Sequence, residues 1–228
     1  MNIREQALRY LGWRGQELTT EVERDLDSAI NECIKLAQPR FVWRVFDIAC
    51  NGNEITFQNT AFTFKSSSLG KLLKKASCSA LMAATLGQKL EIKLQTLGKT
   101  DVSRAVLLDA VASAMIEDVC NHAEREIAEY ANKHDFIALP RFSPGYEDWD
   151  LSVQPMLLSV LNAARQIGLS CTSANILLPQ KSITALVGFL PLGITAEIVK
   201  PQCKDCVGAT KCGYSSCILI STQTKNEV

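Results

Sequence analysis

Apolar residues near the start of the chain recur at the spacing of a helix. Ile3, Ala7, Leu8 and Leu11 share one face behind Asn2-Ile3-Arg4-Glu5, which has the form of a capping box, and Gly12 ends the run. A cleaner capping box, Thr20-Glu21-Val22-Glu23, opens a second helix. Val22, Leu26, Ala29, Ile30, Cys33 and Leu36 form its apolar face, and Pro39 closes it. The period then shortens. Residues 41–49 are rich in Val, Phe, Trp and Ile and read as a strand; the Asn51-Gly52-Asn53 turn leads into a second at residues 55–57, and residues 61–64 supply a third. Ser67 or Ser68 caps a short helix through Lys75. Residues 77–86 fit either a strand or a helix, and the flanking Gly87 with a fresh helical period over residues 90–97 favours the strand.

The longest element starts at an Asp101 cap and runs to about residue 133. Leu108, Ala112, Met115, Val119, His122 or Ala123, Ile127 and Tyr130 lie along its buried stripe, so His122 reads as a core histidine. Ala105, Ala110, Ala112 and Ala114 leave little bulk on this helix, which suits a closely packed neighbour. Residues 136–139 form a short strand leading into a bend. Beyond it, Ser152 caps a helix that tolerates Pro155 in its first turn and continues its face through Leu158, Leu161 and Ala164. Residues 176–178 and 182–189 flank Pro179-Gln180-Lys181, which reads as a hairpin turn. Helices interleaved with hairpin-type strands predict an α+β fold, a mixed and largely antiparallel twisted sheet with helices on one side.

Composition narrows the class. The length of 228 residues suits one domain, divided into N-terminal helices and strands (1–76), a core (77–190) and a cysteine-containing tail (191–228). Lys+Arg and Asp+Glu both number 24, so no net field draws the chain to nucleic acid or anionic lipid. Residues 183–194 form the longest apolar-leaning run, too short to span a membrane and interrupted by Pro191, and the N-terminus lacks the apolar core of a signal peptide. Nine cysteines, an odd number scattered through helices and strands, point to a reducing cytoplasm. No glycine-rich nucleotide fingerprint, nucleophile elbow or H-E-x-x-H helix occurs, and there are only two histidines, which argues against a generic kinase or hydrolase.

Two constellations carry candidate chemistry. In Arg141-Phe142-Ser143-Pro144-Gly145-Tyr146, Ser143 precedes a proline and is pushed to extended backbone, while Pro144-Gly145 fits the centre of a type II turn. Such a bend holds a guanidinium that can fork onto a carboxylate, beside a glycine that lets a ligand approach the main chain. An arginine facing a ligand in this way contributes little to the fold itself. The alternative is an ordinary Pro-Gly turn with an exposed arginine and a packed tyrosine. In the tail, Cys203-Lys-Asp-Cys206 makes a chelating knuckle, joined by Cys212 and Cys217 at five and four intervening residues. That spacing matches neither a zinc ribbon nor a ferredoxin run, so zinc, an iron–sulfur cluster and free thiols all remain open. Cys33, Cys50, Cys78, Cys120 and Cys171 read as core.

The Arg141-to-Tyr146 motif resembles the R-x-x-x-G-Y signature of the activation (reactivation) domain of cobalamin-dependent methionine synthase. Leu169-Ser-Cys-Thr-Ser173 and Pro179-Gln-Lys-Ser182-Ile-Thr184 are similar to that family's L-T-x-S and P-x-x-S-V-S stretches. The resemblance covers residues 78–190; Tyr10-Leu-Gly-Trp-Arg-Gly15 and Arg40-Phe-Val-Trp-Arg-Val-Phe46 look like free-standing relatives from anaerobes. Where fused activation domains carry a proline-rich segment with an Asp-His pair, this chain has Glu147-Asp-Trp-Asp150. The resemblance implies that S-adenosylmethionine (AdoMet) binds at Arg141, Pro144, Gly145 and Tyr146, with Arg141 on its carboxylate and Tyr146 toward the corrinoid. It further implies a reactivation role, the reductive methylation of cobalamin carried by a separate corrinoid protein or core methionine synthase. A flavodoxin- or ferredoxin-type partner would then supply the electron. Two other classes stay open: an iron–sulfur electron-transfer activator, marked by visible absorption, and a non-catalytic corrinoid-protein partner, marked by lost AdoMet affinity.

Overall fold

A computed structural model describes residues 2–193. Three long strands form the centre of the sheet: β1 (Arg40–Asn51), β4 (Cys78–Thr85) and β8 (Ser182–Pro191). β2 (Glu54–Phe57) and β3 (Thr63–Lys65) extend one edge and β5 (Phe136–Ala138) the other, giving the order β3-β2-β1-β4-β8-β5 with every pairing antiparallel. The α+β expectation holds, with an antiparallel sheet.

All eight residues of β4 are buried, which explains its ambiguous pattern. Ala80, Met82 and Ala84 face one core and Leu81 and Ala83 the other, so the strand reads as a continuous apolar run. Helices therefore cover both faces of the sheet, not one. On the first lie α1 (Ile3–Tyr10), α2 (Thr20–Leu36), α4 (Gln88–Thr100) and α5 (Val102–Lys133). On the second lie α3 (Ser67–Leu72), α6 (Gln154–Val160) and α7 (Ala163–Ile167).

The 32-residue α5 contains no glycine or proline, and the Asp101 side chain accepts from Arg104 N–H at its start. Ala110, Ala112 and Ala114 are buried there, and Ala7 and Leu8 of α1 join the same core. His122 departs from the sequence reading. Its side chain is 56% exposed, and its ring meets Phe41 edge-on on the outer flank of the helix.

Three local expectations are corrected. The α3 cap is Ser66, whose hydroxyl accepts from Leu69 N–H, and the helix ends at Leu72. Asp150, not Ser152, caps a 3-10 turn (Leu151–Val153) that leads into α6, and Asn162 at φ +52° separates α6 from α7. Residues 176–178 do not form a hairpin with β8. They pair backward instead, β7 (Leu177–Leu178) on β6 (Ser170–Cys171). The Thr172 hydroxyl accepts from Ala174 and Ile176 N–H, and Asn175 takes φ +61°, so the tight turn lies upstream of Pro179.

Candidate functional site

β5 peels away from β8 just where the sequence places its bend. Leu139 N–H still donates to Gly188 C=O, and Phe142 and Leu186 exchange both main-chain bonds at 2.8 Å. Beyond that bridge no strand pairs with the outer edge of β8 among the described residues. By the alternation of an antiparallel ladder, the N–H and C=O of Thr184 point out along the same open edge as those of Leu186.

The bend itself is a turn of Ser143-Pro144-Gly145-Tyr146, with Tyr146 N–H donating to Ser143 C=O at 3.3 Å and Gly145 at φ +94°. The positive φ favours glycine here, and a side chain at this position would also press on the exposed Leu151. Asp148 and Trp149 anchor this turn. Asp148 accepts from the Ser66 hydroxyl at 2.7 Å and from Ser67 and Ser68 N–H, which clasps the loop to the start of α3. Those bonds, led by the Ser66 hydroxyl, hold the Asp148 carboxyl well below the usual carboxylate range. Trp149 is 1% exposed, packs against Phe64 and Phe142, and accepts Gly145 N–H on its carbonyl at 2.7 Å.

Arg141 differs from the open fork expected. Its guanidinium donates to Glu117 at 2.6 Å, to Asn121 at 2.9 Å and to Glu124, and its main-chain N–H donates to Glu124 at 3.0 Å. Positions 117, 121 and 124 share one face of α5, so the helix presents two carboxylates to one arginine. Burial works against the Arg141 charge, but Glu124 and Glu117 outweigh it and keep the guanidinium firmly protonated. Behind it, burial pushes the Cys120 thiol up to about 12, which makes that cysteine inert.

A cavity of about 380 Å³ opens between these elements, lined by Glu117, Arg141, Pro144, Tyr146, Gln154 and Thr184 among others. Three of the four residues singled out from the sequence thus share one cavity, and Gly145 shapes the turn beside it. Tyr146 is 67% exposed at its edge. Sequence reasoning missed Glu117, Glu124 and Gln154; the seven-residue spacing of the two glutamates on a helix was the available signal. A larger cavity of about 520 Å³ lies farther along α5, beside α1 and α4. Its ionic groups are already engaged: Lys181 with Asp109 and Ser113, and Glu91 with Gln95 and Gln180 N–H. The smaller cavity holds the bend and is the better candidate.

No protein-family model matches the chain, and no curated protein does. Among solved structures, the crystal structure of the MetH reactivation domain bound to AdoHcy superposes with a TM-score of 0.63. The alignment covers 82% of this chain and 75% of that one, at 14% identity. The fold is that of the methionine synthase reactivation domain. Architecture alone is shared at this identity, and the reactivation-domain fold agrees with what the motif resemblance implies.

Cys203, Cys206, Cys212 and Cys217 lie outside the described residues. Among those described, no group of three or more His, Cys, Asp or Glu is arranged to hold a metal, and no helix is long and apolar enough to cross a membrane. Cys33, Cys78 and Cys120 are buried free thiols, while Cys50 and Cys171 are half-buried.

Proposed function

We propose that the chain is an AdoMet-binding reactivation protein that supports reductive methylation of the cobalamin of a separate corrinoid protein or core methionine synthase. The observation that carries this reading is the cavity at the open edge of β8, where Arg141, Glu117 and the Pro144-Gly145 turn meet on a reactivation-domain fold. A guanidinium beside a carboxylate suits an amino-acid zwitterion: Arg141 keeps donors for the ligand carboxylate, and Glu117 is placed for the ammonium. With Glu124, the cluster has one carboxylate more than it has guanidinium. That excess favours a ligand bearing a sulfonium over the neutral thioether left after methyl transfer. The chemistry comes from the bound groups: AdoMet gives the methyl, the partner's corrinoid the nucleophile, and a flavodoxin- or ferredoxin-type donor the one electron, leaving methylated corrinoid and AdoHcy. This chain's work is to bind and orient the donor, so no general base is required.

Exposed Tyr146, Leu151, Met156, Ile176 and Leu178 lie in the segments bordering the cavity, an apolar rim suited to a docking protein. The test is anaerobic. The chain, a corrinoid protein in the cob(II)alamin state, titanium(III) citrate and methyl-labelled AdoMet are combined, and label on the corrinoid is followed with AdoHcy formation. Transfer that depends on the chain is expected. No AdoMet binding at all would overturn the proposal in favour of the non-catalytic partner, and AdoMet binding without transfer would overturn the methyl-transfer role.

A further inference from the structure

The Arg141 end of the cavity accounts for an amino acid but leaves one polar group at the other end unused. Gln154, the first residue of α6, is 4% exposed and lines the cavity. Its Oε1 accepts from the Thr184 hydroxyl at 2.7 Å, and Thr184 is itself 2% exposed. The Gln154 amide nitrogen has no hydrogen-bond partner among the described residues, and it keeps some access to solvent, since Trp149 Nε1 is the one fully sealed polar side-chain atom without a partner among them. A buried carboxamide with idle donors is costly unless something fills them. The walls nearby are flat and apolar: Phe142, Pro144, Leu177 and Ile183.

We propose that Gln154 is the residue that reads the adenine of the ligand. A carboxamide offers adenine a two-point match, its N–H to ring N7 and its carbonyl to the N6 amino group. The carbonyl retains a second lone pair after taking the Thr184 hydroxyl, and that hydroxyl fixes the rotation of the amide plane. The apolar walls accept the faces of the purine, while Arg141 and Glu117 take the amino-acid end. Specificity for an adenosyl donor thus comes from α6, an element outside the Arg141-to-Tyr146 bend.

This inference rests on the AdoMet reading above, and the experiment separates the two. Competition against labelled AdoMet is measured for 5′-methylthioadenosine, its 7-deaza analogue and L-methionine. The proteins are wild type, Gln154→Met and Gln154→Glu, with melting curves alongside. Wild type is expected to prefer methylthioadenosine over the 7-deaza compound by about 5- to 30-fold, the worth of one buried hydrogen bond. Both variants should lose that preference while L-methionine competes unchanged. Gln154→Glu retains an acceptor for Thr184, so it decides the matter if Gln154→Met fails to fold. A preference that survives in the variants, no preference in wild type, or an equal loss for methionine would each overturn the assignment of Gln154. Failure of wild type to bind AdoMet would overturn the functional reading beneath it.

Discussion

Arg141 is held by Glu117, Asn121 and Glu124 before any ligand arrives, so its geometry is pre-set at the expense of its freedom. Truncation to alanine removes the shared partner of two half-buried carboxylates. Arg141→Ala is expected to lower unfolding free energy by about 1–3 kcal/mol, between the values for exposed and buried pairs. AdoMet affinity should also fall about 30- to 150-fold, as for two charge-assisted bonds partly replaced by water. Arg141→Lys should recover only part of either loss, since an ammonium cannot span both glutamates in one plane. Calorimetry and melting curves on the three proteins check this. The sequence reading expected alanine to spare stability; the structure points the other way, because the arginine's partners lie 17 to 24 residues earlier, on a helix where only the seven-residue spacing of Glu117 and Glu124 hinted at a shared partner.

The bend, α3 and α5 form one mechanical unit, with Asp148 as the tie between loop and helix. Because its carboxyl is held low by the Ser66 hydroxyl and the Ser67 and Ser68 N–H groups, its contribution is fully present above the ordinary aspartate pKa of about 3.9 and fades as pH falls through the lower folded value. The difference in melting temperature between wild type and Asp148→Asn is therefore expected to be flat from about pH 8 to 5 and to narrow below about pH 4. A difference independent of pH over that range would show that the charge of Asp148 does not matter. What was legible at this scale followed local rules: the Pro144-Gly145 turn, the uninterrupted α5 and the strand over residues 78–85. Elements defined by distant partners were not. Nothing in Glu147-Asp-Trp-Asp150 announces that Asp148 will cap a helix some 80 residues upstream, and the two-sided cover of the sheet shows only in β4's lack of alternation. β7 was misassigned because the Thr172–Asn175 turn competed with Pro179 for the same hairpin.

Among the described residues as a whole, the sheet divides two cores and the cavity lies along the stretch of the outer β8 edge that β5 leaves uncovered. That position lets α5 supply charge from one side and α6 supply Gln154 from the other. The same arrangement places Trp149 directly beneath the turn, between Phe64 and Phe142 and sealed from water. Phe142 is at once a wall of the cavity and a neighbour of that indole. The protein thus carries its own optical probe. Trp149 should emit at short wavelength, apart from the more exposed Trp13 and from the half-buried Trp43, which packs against the other core, and AdoMet should change the Trp149 intensity in a saturable way without any added label. Trp149→Phe is expected to abolish that signal while calorimetric binding persists, which would turn stopped-flow fluorescence into a direct clock for ligand entry.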